Sequence, residues 1–134
     1  MAPWLDRLRA WVGRAPRPLG RQGEDLAARF LLRERYTILG RNVHIGRYEV
    51  DIVARDGDTT VFVEVKTRRS DVFAAPDQNV DARKRRKLIT AARRYAAMED
   101  NPEMYYRFDI VSVLIPPEGR PSITIHKDAF KAKG

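Results

Sequence analysis

Hydrophobic and polar residues alternate most regularly across residues 49–66. This segment holds two runs rich in β-branched residues, separated by acidic and glycine residues. Such a pattern predicts two antiparallel strands joined by a tight turn. With the turn centred on Gly57 and Asp58, Asp51 on the first strand lies directly opposite Glu64 on the second.

Side chains point alternately to the two faces of a strand, so the predicted hairpin has a polar face and an apolar face. The polar face carries Glu49, Asp51, Glu64 and Lys66, and the apolar face carries Val50, Ile52, Val63 and Val65. Carboxylates opposed at about 5 Å repel by about 3 kcal/mol at an effective dielectric near 20. A divalent cation between them, or a proton on one of them, relieves that repulsion. The alternative is a solvated hairpin with a Glu49–Lys66 ion pair, which the flanking apolar runs disfavour because they indicate a sheet covered on both faces.

Helical spacing predicts two helices, one before and one after the hairpin. The first covers residues 22–35 and the second begins at residue 81. Apolar runs predict further strands at residues 36–45, 106–115 and 123–126. The order is α-β-β-β-α-β-β, which predicts an α/β fold with a mixed β-sheet flanked by helices.

Glu24 lies on the inward side of the first predicted helix. It precedes the stripe residues Ala27, Ala28 and Leu31 by three, four and seven positions. An acid in the first turn also favours the helix dipole, and Asp25 is available for that role on the exposed side. The spacing therefore leaves two interpretations of Glu24, an inward functional acid or a helix-end acid.

The second predicted helix carries the most basic segment of the chain. Its cations are Arg83, Lys84, Arg85, Arg86, Lys87, Arg93 and Arg94, beside an apolar stripe of Leu88, Ala91, Ala92 and Tyr95. A cationic face is often only a solvated surface. Seven cations without an interposed acid exceed what solubility requires, and we expect phosphate contacts here.

The amino-acid composition limits which metal sites and which partners are expected. The chain has 134 residues, enough for one domain, with no cysteine and with two histidines, His44 and His126. A thiolate zinc site is therefore excluded, and a bound metal would have oxygen ligands, as magnesium and manganese prefer. The net charge of +8 indicates a polyanionic partner, with nucleic acid first. The absence of cysteine fits the cytoplasm, and no apolar run approaches the ~20 residues of a membrane span.

Residues 1–20 differ from the rest of the chain. Apolar residues recur there at helical spacing among arginines, until glycine and proline residues interrupt the pattern. The segment is predicted as a basic arm folded on the domain or a frayed end, with an amphipathic helix for a membrane surface or partner as the alternative. The predicted organisation is this arm followed by a single domain at residues 21–134.

Five stretches resemble the YraN family of small bacterial proteins, which are similar to Holliday junction resolvases and to PD-(D/E)xK nucleases. The stretches are Gly23-Glu24 with Ala27, Arg41-Asn42, residues 49–54, residues 62–68 and residues 107–111. Two positions depart from the nuclease pattern. Val50 stands where a proline precedes the motif's aspartate, and Tyr48 replaces a glycine usual before the acidic pair. Neither is a ligand position.

The resemblance implies a restriction-endonuclease-like fold and metal-dependent hydrolysis of phosphodiester bonds in DNA. The implied ligands of one or two Mg²⁺ or Mn²⁺ ions are Asp51, Glu64, Glu24 and the Val65 carbonyl. Lys66 would orient the attacking water or stabilise charge on phosphorus. Glu49 would tune Lys66, and Gln78 would bond the lysine or the water, with loop packing as the alternative for Gln78. The implied backbone contacts are Arg68, Arg83, Lys84, Arg86, Lys87 and Arg94.

A second function class is a binding module that keeps the nuclease fold without turnover and recruits other proteins to branched or single-stranded DNA. The intact Asp51, Glu64 and Lys66 count against it. An RNA-directed enzyme has less support than a DNA-directed one, since few aromatic residues interleave with the cations. The resemblance also implies a homodimer, because resolvases of similar fold pair to cut two strands.

Overall fold

The computed structural model describes residues 18–69, 81–101 and 103–130. Its elements are α1 (Leu19–Arg33), β1 (Thr37–Ile45), β2 (Tyr48–Asp56), β3 (Thr59–Arg68), α2 (Ala82–Met98), β4 (Tyr105–Leu114) and β5 (Ser122–Phe130). The α/β class and the order α-β-β-β-α-β-β are confirmed. Gln78 and all of the N-terminal arm before Pro18 lie outside the described residues.

The five strands form one mixed sheet in the order β1-β2-β3-β4-β5. β1, β2 and β3 are consecutive antiparallel neighbours, and β4 and β5 are also antiparallel. β3 and β4 are parallel. A parallel pair needs a crossover connection, and α2 lies within it.

Each face of the sheet is covered by one helix. The core under α1 contains Ala27, Leu31, Ile52, Val63 and Val111. The core under α2 contains Val53, Phe62, Leu88, Ala92 and Phe108. The hairpin of β2 and β3 is therefore buried on both sides, which excludes the solvated-hairpin alternative. Neither of the two helices that the structure describes is long and apolar enough to cross a membrane.

The predicted hairpin register is confirmed. Ile52 pairs with Val63 and Asp56 pairs with Thr59. Gly57 in the turn has a φ of 63°, a conformation that glycine adopts without steric cost. The β2–β3 ladder ends at Ile52 and Val63, one position short of the two carboxylates.

The placement of Val50 on the same face as Ile52 is wrong. Val50 belongs to the core under α2, together with Val53, whereas Ile52 packs under α1. At this point β2 has left its ladder with β3, and Val50 pairs with Val43 of β1. The strict alternation predicted for a continuous hairpin is therefore interrupted just before Asp51.

Helix α1 begins three residues earlier and ends two residues earlier than the pattern predicts. Pro18 directly precedes the first turn, where a missing N–H costs nothing, so the prolines and Gly20 do not delay the helix. The end is set by Arg35, whose φ is 69°. The backbone N–H groups of Arg35 and Tyr36 then bond the carbonyls of Leu32 and Leu31, which closes the helix as a Schellman motif.

A buried polar network around Asp109 joins β2, β4 and β5 to Tyr36, the residue that precedes β1. The Asp109 carboxylate accepts from the Tyr36 hydroxyl at 3.0 Å, from Arg107 Nε at 2.8 Å and from the Asp128 backbone N–H at 3.0 Å. Arg107 also donates to Asp56 at 2.9 Å. Because every member has a partner, this buried charge is compensated within the fold.

Candidate metal centre

The carboxylate of Asp51 is fixed at the point where β2 separates from β3. Its Oδ2 accepts a hydrogen bond from the backbone N–H of Val65 at 2.8 Å. The side chain thus supplies the acceptor that a continued β2–β3 ladder would have offered. Val65 follows Glu64, so this bond fixes Asp51 next to the second carboxylate of the predicted pair.

The two carboxylates interact electrostatically. The pKa of Asp51 is raised from 3.8 to about 6, first by burial and then by the negative charge of Glu64. The Val65 hydrogen bond and the Lys84 ammonium lower that pKa in part. The side chain of Glu64 is only 7% exposed. A buried acid pair with one member titrating near neutrality is typical of functional sites.

Glu24 reaches the site because α1 lies close against β3. Gly23 is buried, and a methyl group at that position would overlap the side chain of Thr67 near the end of β3. The next residue, Glu24, is partly buried, and its pKa is raised first by that burial and then by the charge of Asp51. The inward interpretation of Glu24 is the one that this packing favours.

Asn42 connects the acidic residues of α1 and β2. The carboxylates around it direct its amide nitrogen toward them, so that it donates to Glu24 Oε1 at 2.8 Å and to Glu49 Oε1 at 3.0 Å. Asn42 has a φ of 50°, a conformation that asparagine tolerates better than most residues. Neighbouring Arg41 donates to Asp25 at 2.7 Å. These contacts join the first turns of α1 to β1.

Lys84 enters the site from the first turn of α2. Asp81 caps that helix by accepting from the Lys84 backbone N–H at 2.9 Å. The Lys84 ammonium donates to Glu64 Oε1. Lys84 therefore lies against the carboxylates, apart from the other α2 cations with which the sequence grouped it.

Lys66 follows two residues after Glu64 on β3, and its side chain is partly buried. Its parallel neighbour on β4 is Ser112. The Ser112 hydroxyl is buried and has no hydrogen-bond partner among the residues that the structure describes. A polar position near Lys66 is thus available to a water or a ligand oxygen.

A cationic groove of about 690 Å³ lies between the β1–β2 turn and α2. Its charged lining consists of Arg47, Arg83, Arg86, Lys87 and Arg94. The turn glycine, Gly46, has a φ of 63°, and any side chain there would overlap the Arg94 guanidinium. The positive φ favours glycine at this turn, and a side chain there would have to displace the end of the flexible Arg94 side chain.

The groove and the acidic pair meet at Tyr48. Tyr48 lines the groove. Its pKa is raised, first by burial and then by the charges of Glu64 and Asp51. Tyr48 thus lies between the cationic groove and the carboxylates of Asp51 and Glu64.

Comparison with known proteins identifies the family. The model of the uncharacterised protein family UPF0102 matches residues 23–113. The chain belongs to the UPF0102 family. This is the YraN family that the sequence motifs indicated.

Similar UPF0102 proteins occur in several bacteria. One from Nocardia farcinica is 45% identical over 112 residues, which cover 84% of this chain and 88% of that protein. One from Solibacter usitatus is 45% identical over 127 residues, or 93% of each chain. UPF0102 protein STH1475 of Symbiobacterium thermophilum is 40% identical over 116 residues, 87% of this chain and 98% of that protein. These names state no activity.

Within this UPF0102 chain, Asp51 interacts electrostatically with both Glu64 and Glu24. Four of the predicted backbone contacts, Arg83, Arg86, Lys87 and Arg94, line the groove. Arg68 ends β3 and lies outside the groove lining. Glu49 pairs with His44 of β1 in the ladder, and its carboxylate lies 4.0 Å from the His44 ring.

Sequence reasoning missed three contributors, Asn42, Tyr48 and Arg47. Asn42 was present in the matching motifs, and Tyr48 was noted only as a departure from them. Their roles depend on how β1 and its turn pack against both helices, which periodicity alone does not reveal. Arg47 had a weak signal, a cation in a predicted turn.

The residues present fit a magnesium or manganese ion with oxygen ligands. Among the described residues, no three acidic or histidine side chains stand together as a complete ligand set. Asp51 and Glu64 interact through their charges, whereas Glu24 is held by Asn42, so the Asp51–Glu64 pair is the core of a site. Magnesium is usually held by one or two carboxylates, with waters and substrate phosphates completing its shell. A site with the two carboxylates of Asp51 and Glu64 meets that requirement.

Proposed function

We propose that this UPF0102 protein is a metal-dependent nuclease that hydrolyses phosphodiester bonds in DNA. The observation that carries the proposal is the meeting of the Asp51–Glu64 pair with the cationic groove at Tyr48. The cations of the groove would bring a polyanion next to two carboxylates, and the negative charge of those carboxylates would repel it. That arrangement is useful if a divalent cation neutralises the carboxylates and binds a phosphate oxygen.

Asp51 and Glu64 would hold the metal, with the Val65 carbonyl as a further ligand. When bound, the metal supplies Lewis-acid activation of the phosphate and a lower pKa for a water ligand. The Val65 N–H fixes the orientation of Asp51, and at neutral pH this carboxyl is mostly ionised because its pKa is about 6. The protein therefore presents an aligned anionic ligand without further rearrangement of β2.

Lys66 would stabilise the negative charge that develops on the phosphoryl oxygens. It follows Glu64 by two residues on β3, so its ammonium is held on the side of the strand that carries that carboxylate. Glu24, oriented by Asn42, would accept a hydrogen bond from water on the α1 side of the site. Each of these roles uses a side chain whose backbone is part of a regular element.

The groove would bind the sugar–phosphate backbone. Five of its nine described lining residues are arginine or lysine, which suits phosphate contacts that carry little sequence information. The proposal extends to a cytoplasmic location, and to pairing of two copies where both strands of a junction are cut. DNA is favoured over RNA because the groove offers Tyr48 as its single aromatic lining residue among those described, which is little for base stacking.

A binding module without turnover is the second candidate. The observation that favours it is the Lys84–Glu64 ion pair, because a permanently satisfied Glu64 would not need a metal. In that case the groove alone would retain nucleic acid.

A cleavage screen separates the two functions. Linear, flapped and four-way DNA are incubated with the full chain in Mg²⁺, in Mn²⁺ and in EDTA. A nuclease cuts at least one substrate in metal and none in EDTA, whereas a binding module retains the same substrates uncut under every condition.

A further inference from the structure

Lys84 acts as a counter-ion of the Asp51–Glu64 pair through its contact with Glu64. Its ammonium donates to Glu64 Oε1, and in this ion pair the Glu64 side chain is 7% exposed while the Lys84 side chain is 41% exposed. A carboxylate buried to that degree needs a compensating positive charge. Lys84 supplies it from a different element, since Glu64 lies on β3 and Lys84 on α2.

The charge of Lys84 acts on both carboxylates of the pair. It lies close enough to Asp51 to lower the pKa of that carboxyl, against the raising effects of burial and Glu64. A divalent ion at this site would act on the same two groups in the same direction. Lys84 and a divalent ion therefore serve the same electrostatic purpose.

We propose that Lys84 is the resident counter-ion of the metal-free site and competes with the divalent cation for Glu64. This inference rests on the proposed function, because it takes the Asp51–Glu64 pair to be the metal site. The Glu64 oxygen that accepts the ammonium would have to be released, and two cations beside one carboxylate would repel each other. Metal binding therefore displaces the Lys84 side chain.

In the first turn of α2, the Lys84 side chain can move without a change in the helix backbone. The Lys84 backbone N–H is bonded to the Asp81 cap, so the helix start does not depend on the Glu64 ion pair. The lysine side chain has a flexible four-carbon stem. The Lys84 side chain is already 41% exposed, so the displaced ammonium can move into solvent.

This competition has a defined cost and a defined benefit. It weakens metal binding, because the ion pair has to be broken first. It also keeps the buried Glu64 compensated when divalent ions are scarce, which protects the folded state. Removal of the ammonium should therefore tighten metal binding and lower the stability of the metal-free protein.

Calorimetric titration of the full chain with Mn²⁺ in the absence of DNA tests the proposal. Lys84→Ala should bind Mn²⁺ on the order of tenfold more tightly than wild type, since one competing cation has been removed at short range. Arg85→Ala is the matched control, because it removes the same charge from the next, exposed position of α2. It should bind Mn²⁺ within about twofold of wild type.

Thermal unfolding provides a second readout. Metal-free Lys84→Ala should melt below wild type, and saturating Mn²⁺ should raise its melting temperature by more than it raises that of wild type. If Lys84→Ala does not fold without metal, Lys84→Gln keeps most of the stem without the charge and should show the same tightening.

The outcomes are distinguishable. Equal or weaker Mn²⁺ binding by both Lys84 variants, with Mn²⁺ still bound by wild type, overturns the counter-ion role and leaves the metal site standing. Absence of Mn²⁺ binding in wild type and in every variant overturns the metal site and this inference together.

Discussion

At the scale of single residues, the site is held in an arrangement that costs stability. Asp51 is placed beside buried Glu64, where its ionisation is opposed by burial and by repulsion. Unlike a salt-bridged surface acid, it is more easily protonated in the folded protein than in the unfolded chain. An electrostatic cost of this kind is expected at a site that binds a cation.

Asp51→Asn should stabilise the metal-free protein at neutral pH. The folded-state pKa is raised, from 3.8 to about 6, so the cost of ionisation is absent below the lower value, grows between the two and is complete above the higher one. We expect a gain of about 1 to 3 kcal/mol in the free energy of unfolding at neutral pH, and little gain near pH 4. Urea denaturation in EDTA, at neutral pH and near pH 4, measures this gain in the free energy of unfolding.

Asp58→Asn is the control for this measurement. Asp58 is exposed in the β2–β3 turn, and the same isosteric change there should alter stability by less than about 0.5 kcal/mol. Loss of stability in Asp51→Asn at neutral pH would show that the ionised carboxylate is favourable where it lies, contrary to the electrostatics described above.

At the scale of elements, the site depends on how closely α1 approaches β3. Gly23 permits that approach because its face of the helix lies directly against Thr67. The following residue is Glu24, so any shift of α1 moves this acid away from Asp51. The helix position is therefore a condition for the site as well as for the core.

Gly23→Ala should destabilise the fold by about 1 to 3 kcal/mol, although alanine is the better helix former. The added methyl group overlaps Thr67, and either the helix or the strand end has to move. Gly20→Ala in the same helix meets no atom within 4 Å and should stabilise by about 0.5 to 1 kcal/mol. Chemical denaturation of both variants is the measurement, and equal effects would contradict the close contact.

The sequence predicted the elements well because they follow from local patterns. The register of the hairpin followed from its turn, and the start of α2 at Asp81 followed from a helical stripe. The position of Val50 could not be predicted, since alternation was interrupted only where β2 left β3. The Lys84 contact was also beyond prediction, because among several adjacent cations only packing decides which one faces Glu64.

At the scale of the whole molecule, the distribution of positive charge supports the proposed binding of a polyanion. The chain carries a net charge of +8, and five of its cations line one groove. Electrostatic binding of this kind releases counter-ions and so depends steeply on salt. The Asp51–Glu64 pair, next to Tyr48, adjoins this positive groove, and it is the proposed site of phosphodiester hydrolysis.

Replacement of Arg83, Arg86 and Lys87 by alanine should weaken binding to duplex DNA of any sequence. Loss of about three phosphate contacts should reduce the slope of log affinity against log salt by roughly 2 to 3 units. Fluorescence anisotropy in EDTA measures the slope without cleavage. Alanine at Arg21, Arg29 and Arg33, which are exposed on α1, removes the same charge and should change the slope by less than about 1 unit. A slope that is unchanged in the groove variant would assign those cations to solubility.

The most direct test of nuclease function is the single-turnover cleavage rate of Lys66→Ala beside its DNA affinity, in Mg²⁺ or Mn²⁺. Lys66 is proposed to act on charge that appears only in the transition state, so its loss should reduce the rate by about 10² to 10³. DNA affinity should fall only modestly, since the groove cations remain. A contradiction would be cutting by Lys66→Ala and Asp51→Asn at the wild-type rate, or an absence of metal-dependent cutting by wild type on every substrate.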